Sequence, residues 1–229
     1  MKIVAIHQPQ YLPYLGFFHK IAHCDVFAAL DHVQFQKNGL QNRNKIKTAS
    51  KEGTQWITVP VKHNLGQAIN EVRMDSSAPW QKKHWNALVS NYSRARCFRQ
   101  YTDGLQQVLL ADHENLSRLN MALTEWSMEA MEIRTPVVYS SQLQVEGHAT
   151  ALLVDICRSV GADAYLSGPG GKNYMEMPLF EQAGIQVLWQ DFKCPVYEQQ
   201  FPDAGFIPNL SVVDALLNCG QDVAAMVKS

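Results

Sequence analysis

The sequence predicts an α/β fold: a mostly parallel sheet with helices on both faces, carrying an antiparallel hairpin and a helical insertion. Three observations predict it. Short apolar runs of strand length (Ile3 to Ile6, Val26 to Leu30, Ala164 to Leu166 and Ile185 to Trp189) alternate with stretches of helical length, as βαβ units require. Those runs read as buried strands, the kind a sheet covered on both faces contains. A polar, proline-stiffened turn, His7-Gln-Pro-Gln-Tyr-Leu-Pro-Tyr-Leu-Gly16, follows the first of them, at the place where open α/β sheets hold ligands.

In chain order, Ile3 to Ile6 is the first strand, Tyr14 to His23 an amphipathic helix and Val26 to Leu30 the second strand, a βαβ opening whose connection should be right-handed. The segment from Asn38 to Gly53 is polar, basic and broken by Gly39 and Gly53, so it reads as a loop over the site. Gln55 to Val61 and Ala68 to Met74 look like an extended pair joined through Lys62-His-Asn-Leu-Gly66. From Ser77 the pattern turns helical. Ser77-Ala-Pro79 is a start signal, Trp80, Trp85, Leu88 and Tyr92 recur near the helical period, and two further helices follow, Phe98 to Ala111 and Glu114 to Glu132. These form a helical insertion around 77–133 within a single domain spanning 1–229. The βαβ pattern returns with strand Val137 to Tyr139, helix Thr150 to Val160 before Gly161, strand Ala164 to Leu166, helix Met175 to Ala183 before Gly184, and strand Ile185 to Trp189. Ser211 to Asn218, before Gly220, is the last predicted helix.

Composition narrows the function. A formal charge of -1, 18% charged and 46% apolar residues are ordinary for a compact enzyme and favour neither a nucleic-acid nor a membrane surface. The cysteines, 5 in all, include no Cys-x-x-Cys pair, so reduced thiols and a cytoplasmic setting are expected over a zinc ribbon or disulfide framework. No window approaches the roughly 18 to 20 apolar residues of a membrane span. The histidines show no His-Glu-x-x-His or comparable spacing, and no metal is expected.

Chemistry-bearing residues crowd the first fifth of the chain. His7 and Gln8 sit in the turn after the first strand, and imidazole donors near a helix start suit a phosphate. His7, Gly16 and His19 loosely resemble the histidine motif of HUP-class nucleotidylyltransferases, without the His-x-Gly-His spacing. A buried structural histidine is the competing reading. Asp31 ends the second strand, where a ligand-facing carboxylate belongs. Gln34, Lys37, Asn42 and Arg43 follow closely; a mobile loop of this kind would neutralise an anion, or would simply be a solvated basic loop. His63, in the hairpin turn, is a candidate general base or plain turn chemistry. Gly168, Gly170 and Gly171 with Lys172 and Tyr174 form a strand-to-helix loop that lacks the Walker spacing yet could converge backbone amides on an anion. The alternative is a turn that needs positive φ.

These residues carry a resemblance over nearly the whole chain. His7-Gln-Pro9, Tyr11-Leu-Pro13, Gly16-Phe-Phe18, Asp25, Leu30-Asp31, Val33-Gln-Phe35 and Asn42-Arg-Asn44 are followed by Thr58-Val-Pro-Val61, Trp80 with His84, Asn91-Tyr92, Tyr165-Leu-Ser-Gly168, Gly171-Lys172 with Tyr174, and Leu210-Ser211 with Asp214. The set resembles the WbqC-like family of bacterial proteins, with Tyr14 and Leu40 standing where the family pattern has tryptophan. The family is associated with gene clusters for surface polysaccharide such as O-antigen and capsule. The resemblance implies a cytosolic enzyme, a transferase that moves a group from a phosphate-bearing donor: a nucleotide, nucleotide sugar or phosphopantetheine. The alternative is a non-catalytic ligand-binding or assembly protein of the same pathway. His7, Asp31 and His63 are the candidate catalytic residues and the other residues named above the candidate ligand contacts; no cofactor is specified.

Overall fold

A computed structural model describes residues 1–228. It opens with β1 (Ile3–His7), α1 (Leu15–Ala22) and β2 (Val26–Ala29). Two small antiparallel ribbons follow, β3 (Arg43–Lys47) with β4 (Thr54–Thr58) and β5 (Val61–Lys62) with β6 (Arg73–Met74). Three helices, α2 (Trp80–Tyr92), α3 (Phe98–Leu110) and α4 (Leu116–Ala130), precede β7 (Val137–Tyr139). The chain then runs α5 (Ala149–Ser159), β8 (Ala164–Ser167), α6 (Met177–Gln182), β9 (Gln186–Trp189), α7 (Val212–Cys219) and α8 (Asp222–Lys228).

The main sheet has 5 strands in the order β7-β2-β1-β8-β9, and every pairing in it is parallel. Numbered as they enter the sheet, its strands have the doubly wound order of dinucleotide-binding folds, with the topological switch between β1 and β8. Side chains alternate across it as strand geometry demands. Ala5, Phe27, Ala29 and Leu166 face the larger core, with the apolar side chains of α1, α4, α7 and α8. Val4, Ile6, Ala28 and Tyr165 face the smaller one, with Leu152, Leu153 and Ile156 of α5 and Phe180 of α6. The connections on the two sides of the switch therefore leave to opposite faces, and a crevice opens at the carboxyl ends of β1 and β8. Gly161 and Gly184, both at positive φ, end α5 and α6 in the left-handed conformation that glycine adopts without Cβ strain.

One expectation needs correction. The stretch from Asn38 to Gly53 is not all loop: Arg43 to Lys47 is a strand, paired with Thr54 to Thr58. The hairpin predicted from Gln55 to Met74 accordingly shrinks to the two-residue β5 and β6, with a 3₁₀ turn at Ile69–Glu71. The reason is the identity of the buried side chains. Asn44, Ile46 and Lys47 are all buried, and the polar members are hydrogen-bonded instead of solvated. Asn44 Nδ2 donates to the Leu12 carbonyl at 2.7 Å, the Lys47 amide donates to the Tyr92 hydroxyl at 2.8 Å, and Lys47 Nζ donates to Gln199 Oε1 at 3.1 Å. No described helix is long and apolar enough to cross a membrane.

Candidate functional site

The crevice holds a cavity of about 580 Å³. One wall is polar, from the turn after β1 and the turn after β8; the other is apolar, from Ile6, Leu152 and Leu153. Among the described residues, Lys20 of α1 supplies the only ammonium on the lining. It is 6% exposed, and it lies one turn beyond Gly16 on the same helix face. A Cβ placed on Gly168 would stand 3.3 Å from Lys20 Nζ, so the ammonium reaches from α1 to the turn after β8. Among the described residues no carboxylate pairs with it within ion-pair distance. Burial lowers its pKa to about 8, against an opposing electrostatic effect from Cys24. An unpaired buried cation is costly unless something arrives to neutralise it.

Opposite Lys20, the Gly171 amide donates to the Gly168 carbonyl at 3.0 Å and opens a 3₁₀ turn over Pro169–Asn173. Gly170 precedes that first bond, so its N–H is one of the orphan donors of a helix start, and no atom lies within 4 Å of the space a Cβ would take there. None of Gly168, Gly170 and Gly171 is among the positive-φ glycines, so the positive-φ reading of this turn is corrected. The requirement at Gly171 is room: a Cβ would come within 2.3 Å of Ser167 Oγ and 2.7 Å of Met175 Sδ.

The hydrogen-bond partners fix the orientation of three more groups. His7 Nδ1 lies 3.0 Å from the Gln8 carbonyl; since a carbonyl only accepts, Nδ1 carries the proton and Nε2 keeps its lone pair. Burial first, and the Lys20 charge second, lower the His7 pKa to about 3 against the opposing bond to Gln8, so His7 is a neutral imidazole. Gln8 Oε1 accepts from Gln41 Nε2 at 2.8 Å, which leaves the Gln8 amide hydrogens for the cavity. Gln190 Nε2 donates to the Gly16 carbonyl at 2.7 Å and lies 3.0 Å from His19 Nδ1; its Oε1 is left as an acceptor, 3.9 Å from the same Gly168 Cβ position that Lys20 approaches.

Of the residues predicted from sequence, His7, Gln8, Gly168, Gly170, Gly171 and Tyr174 line this cavity. The others do not. Asp31 is 4% exposed and accepts from the Ser141 amide at 2.9 Å, the Ser141 hydroxyl at 2.8 Å and the Ser140 hydroxyl at 3.1 Å, tying the turn after β7 to the end of β2. His63 lies in a separate depression with Glu71 and Arg73, its ring 4.9 Å from that of Phe35. Gln34 forms a bridge with Ala68, and Lys37 is exposed. Asn42 Nδ2 donates to the Val59 carbonyl at 2.9 Å; Arg43 donates to the Asn38 carbonyl and lies 4.4 Å above the Trp56 ring. Lys172 Nζ sits 5.2 Å over the Trp189 ring. His19 stacks on His23 at 4.1 Å and lines a hollow beside the main cavity, with its Nδ1 3.0 Å from Gln190 Nε2. Sequence reasoning passed over Lys20 and Gln190. A lone lysine inside Phe17-Phe-His-Lys-Ile21, four residues after the helix-start glycine, was the available signal for the first. The position of Gln190 just past β9, at a strand carboxyl end, was the signal for the second.

Strand order and crevice define an open, doubly wound α/β protein with a cationic cleft at its switch point. The chain belongs to the WbqC-like protein family, whose model matches residues 8–226. It is 37% identical over 226 residues to the uncharacterized protein Rv1507c of Mycobacterium tuberculosis, covering 97% of this chain and 96% of that protein. No solved structure matches it.

Proposed function

We propose that this WbqC-like protein is a cytosolic transferase that holds a phosphate-bearing donor in the β1/β8 crevice and passes a group from it to an acceptor in surface-polysaccharide or related biosynthesis. The observation that carries the reading is Lys20: a buried ammonium without a counter-charge among the described residues, pointed at a glycine turn with a spare N–H. In this reading Lys20 and the Gly170 amide take the phosphate, and the Gln8 amide and Gln190 Oε1 orient the rest. His7 Nε2 accepts the proton that an acceptor hydroxyl or amine gives up as its oxygen or nitrogen bonds to the transferred group; the bond to the donor breaks, and its electron pair leaves with the donor. The anion that neutralises Lys20 also removes the like-charge effect on His7, so the base strengthens when donor is present. Positioning and electrostatics supply most of the rate.

The test is calorimetric binding of nucleotides, nucleotide sugars and phosphopantetheine to the wild type and Lys20→Met, followed by mass spectrometry for a transferred group. Donor binding that falls tenfold or more in Lys20→Met, with product formed by the wild type, is the expected result. Unchanged affinity in Lys20→Met would refute the anion site. Binding with no transfer to any acceptor would favour the non-catalytic ligand-binding or assembly role.

A further inference from the structure

We infer, resting on the anion site proposed above, that the crevice is built for a terminal phosphate monoester seated between Lys20 and Gly170, and that it excludes dinucleotides and other pyrophosphate diesters. The strand order is the one dinucleotide-binding proteins use, so the question is whether the two seats of such a ligand survive. Both are filled.

The first seat is the start of α1, where a pyrophosphate would rest against backbone left bare by glycine. Gly16 is there, but its bare side is packed by rings: a Cβ would lie 2.4 Å from Tyr14 Cε2 and 2.8 Å from Phe192 Cδ1. The glycine makes room for aromatics. Chain also crosses the approach, since the Val212 amide donates to the Pro13 carbonyl at 2.7 Å and Tyr14 forms an antiparallel bridge with Ser211. The second seat is the carboxylate at the end of the second strand, which would bind a ribose diol. Asp31 holds that place, and both its oxygens are already accepting from Ser140 and Ser141.

What remains is a displaced anion seat, and its chemistry favours a monoester. Lys20 is an ammonium only 6% exposed with no ion-pair partner among the described residues, and Gly170, with its spare N–H, lines the same cavity. Beside them stands an acceptor: Gln190 Oε1 is 3.9 Å, and Lys20 Nζ 3.3 Å, from one and the same point on Gly168. The Gln190 amide cannot turn its nitrogen inward without losing the bond to the Gly16 carbonyl. A monoester, whose second pKa is about 6, can keep one P–OH hydrogen for that acceptor while its other oxygens meet the two donors. A diester has no such hydrogen, so its oxygens would face Gln190 Oε1 unprotected. Of the proposed donors, free phosphopantetheine or a nucleoside monophosphate therefore suits the seat, and a nucleotide sugar does not.

The test is calorimetry on the full chain with inorganic phosphate, AMP and 4′-phosphopantetheine, against the methyl ester of AMP, UDP-glucose and NAD. At least one monoester should bind, its methyl or pyrophosphate counterpart should bind at least tenfold more weakly, and NAD should give no heat of binding. Lys20→Met should weaken the monoester at least tenfold, with a melting curve confirming that the variant is folded. Diesters that bind as tightly as monoesters, with both weakened by Lys20→Met, would overturn this inference and leave the anion site standing. No phosphate compound bound through Lys20 would overturn both.

Discussion

Replacing Lys20 by methionine should stabilise the ligand-free protein while destroying its affinity for phosphate. The side chain keeps its length and its contacts along α1, and only the ammonium goes. That ammonium is 6% exposed and its pKa falls from 10.5 to about 8 because of burial. At 1.36 kcal/mol for each tenfold change in proton affinity, the folded protein holds this charge at a cost of about 3 kcal/mol. Relief of part of that cost should add about 1 to 3 kcal/mol at pH 7, and about 2–4 °C in Tm for each kcal/mol in a chain of this size. The sign with pH follows from proton counting. Between about pH 8 and 10.5 the unfolded chain binds the Lys20 proton and the folded one does not, so wild-type stability rises with pH across that window. The advantage of Lys20→Met should therefore be full below about pH 8 and shrink toward zero near pH 10.5. Urea unfolding of both proteins at pH 7 and pH 9.5 measures it. A variant less stable than the wild type at both pH values would refute the reasoning, because it would mean that the ammonium is held by a favourable partner.

Three further outcomes follow from the same geometry. The His7 ring, followed by NMR of its carbon-bound protons, should titrate near pH 3 in the free wild type, and higher both in Lys20→Met and with bound phosphate, since each removes a positive neighbour. Gly171→Ala should lower Tm by several degrees in a melting curve, because its Cβ meets Ser167 Oγ at 2.3 Å, whereas Gly170→Ala, with no atom within 4 Å, should leave Tm unchanged. Asp214→Asn should lower stability by about 2 to 4 kcal/mol in urea titrations and leave phosphate affinity intact: the buried carboxylate accepts from Tyr92, Tyr197 and Gln199 at 2.9, 2.9 and 2.8 Å, away from the cavity lining.

How far the sequence could be read depended on which residues the sheet buries. β1, β2, β8 and β9 are strands with apolar interiors and were legible, and so were the polar turns at the carboxyl ends of β1 and β8; the strand order that sets a switch point between them was not, because it rests on pairings between distant segments. β3 was not legible. Its buried positions are occupied by Asn44 and Lys47, whose partners Leu12, Tyr92 and Gln199 come from distant parts of the chain. The same blindness concealed Lys20, since a lysine in a helix reads as solvated until the tertiary structure encloses it. It also made Asp31 look ligand-facing, because the two serines that occupy its carboxylate arrive with β7, more than a hundred residues later.

The bridge between Tyr14 and Ser211 has a consequence for the order in which the molecule can be made. β1, α1 and β2, which contain His7 and Lys20, leave a ribosome before the segment that closes over the start of α1 and before the helix α8, whose Val223 and Val227 pack into the same core as Phe18 and Ile21. Until then the helix bearing the cation lacks its outer support. His7 and Lys20 are therefore made well before the cleft that sets them to work, and ligand binding should begin only once α8 has packed against α1.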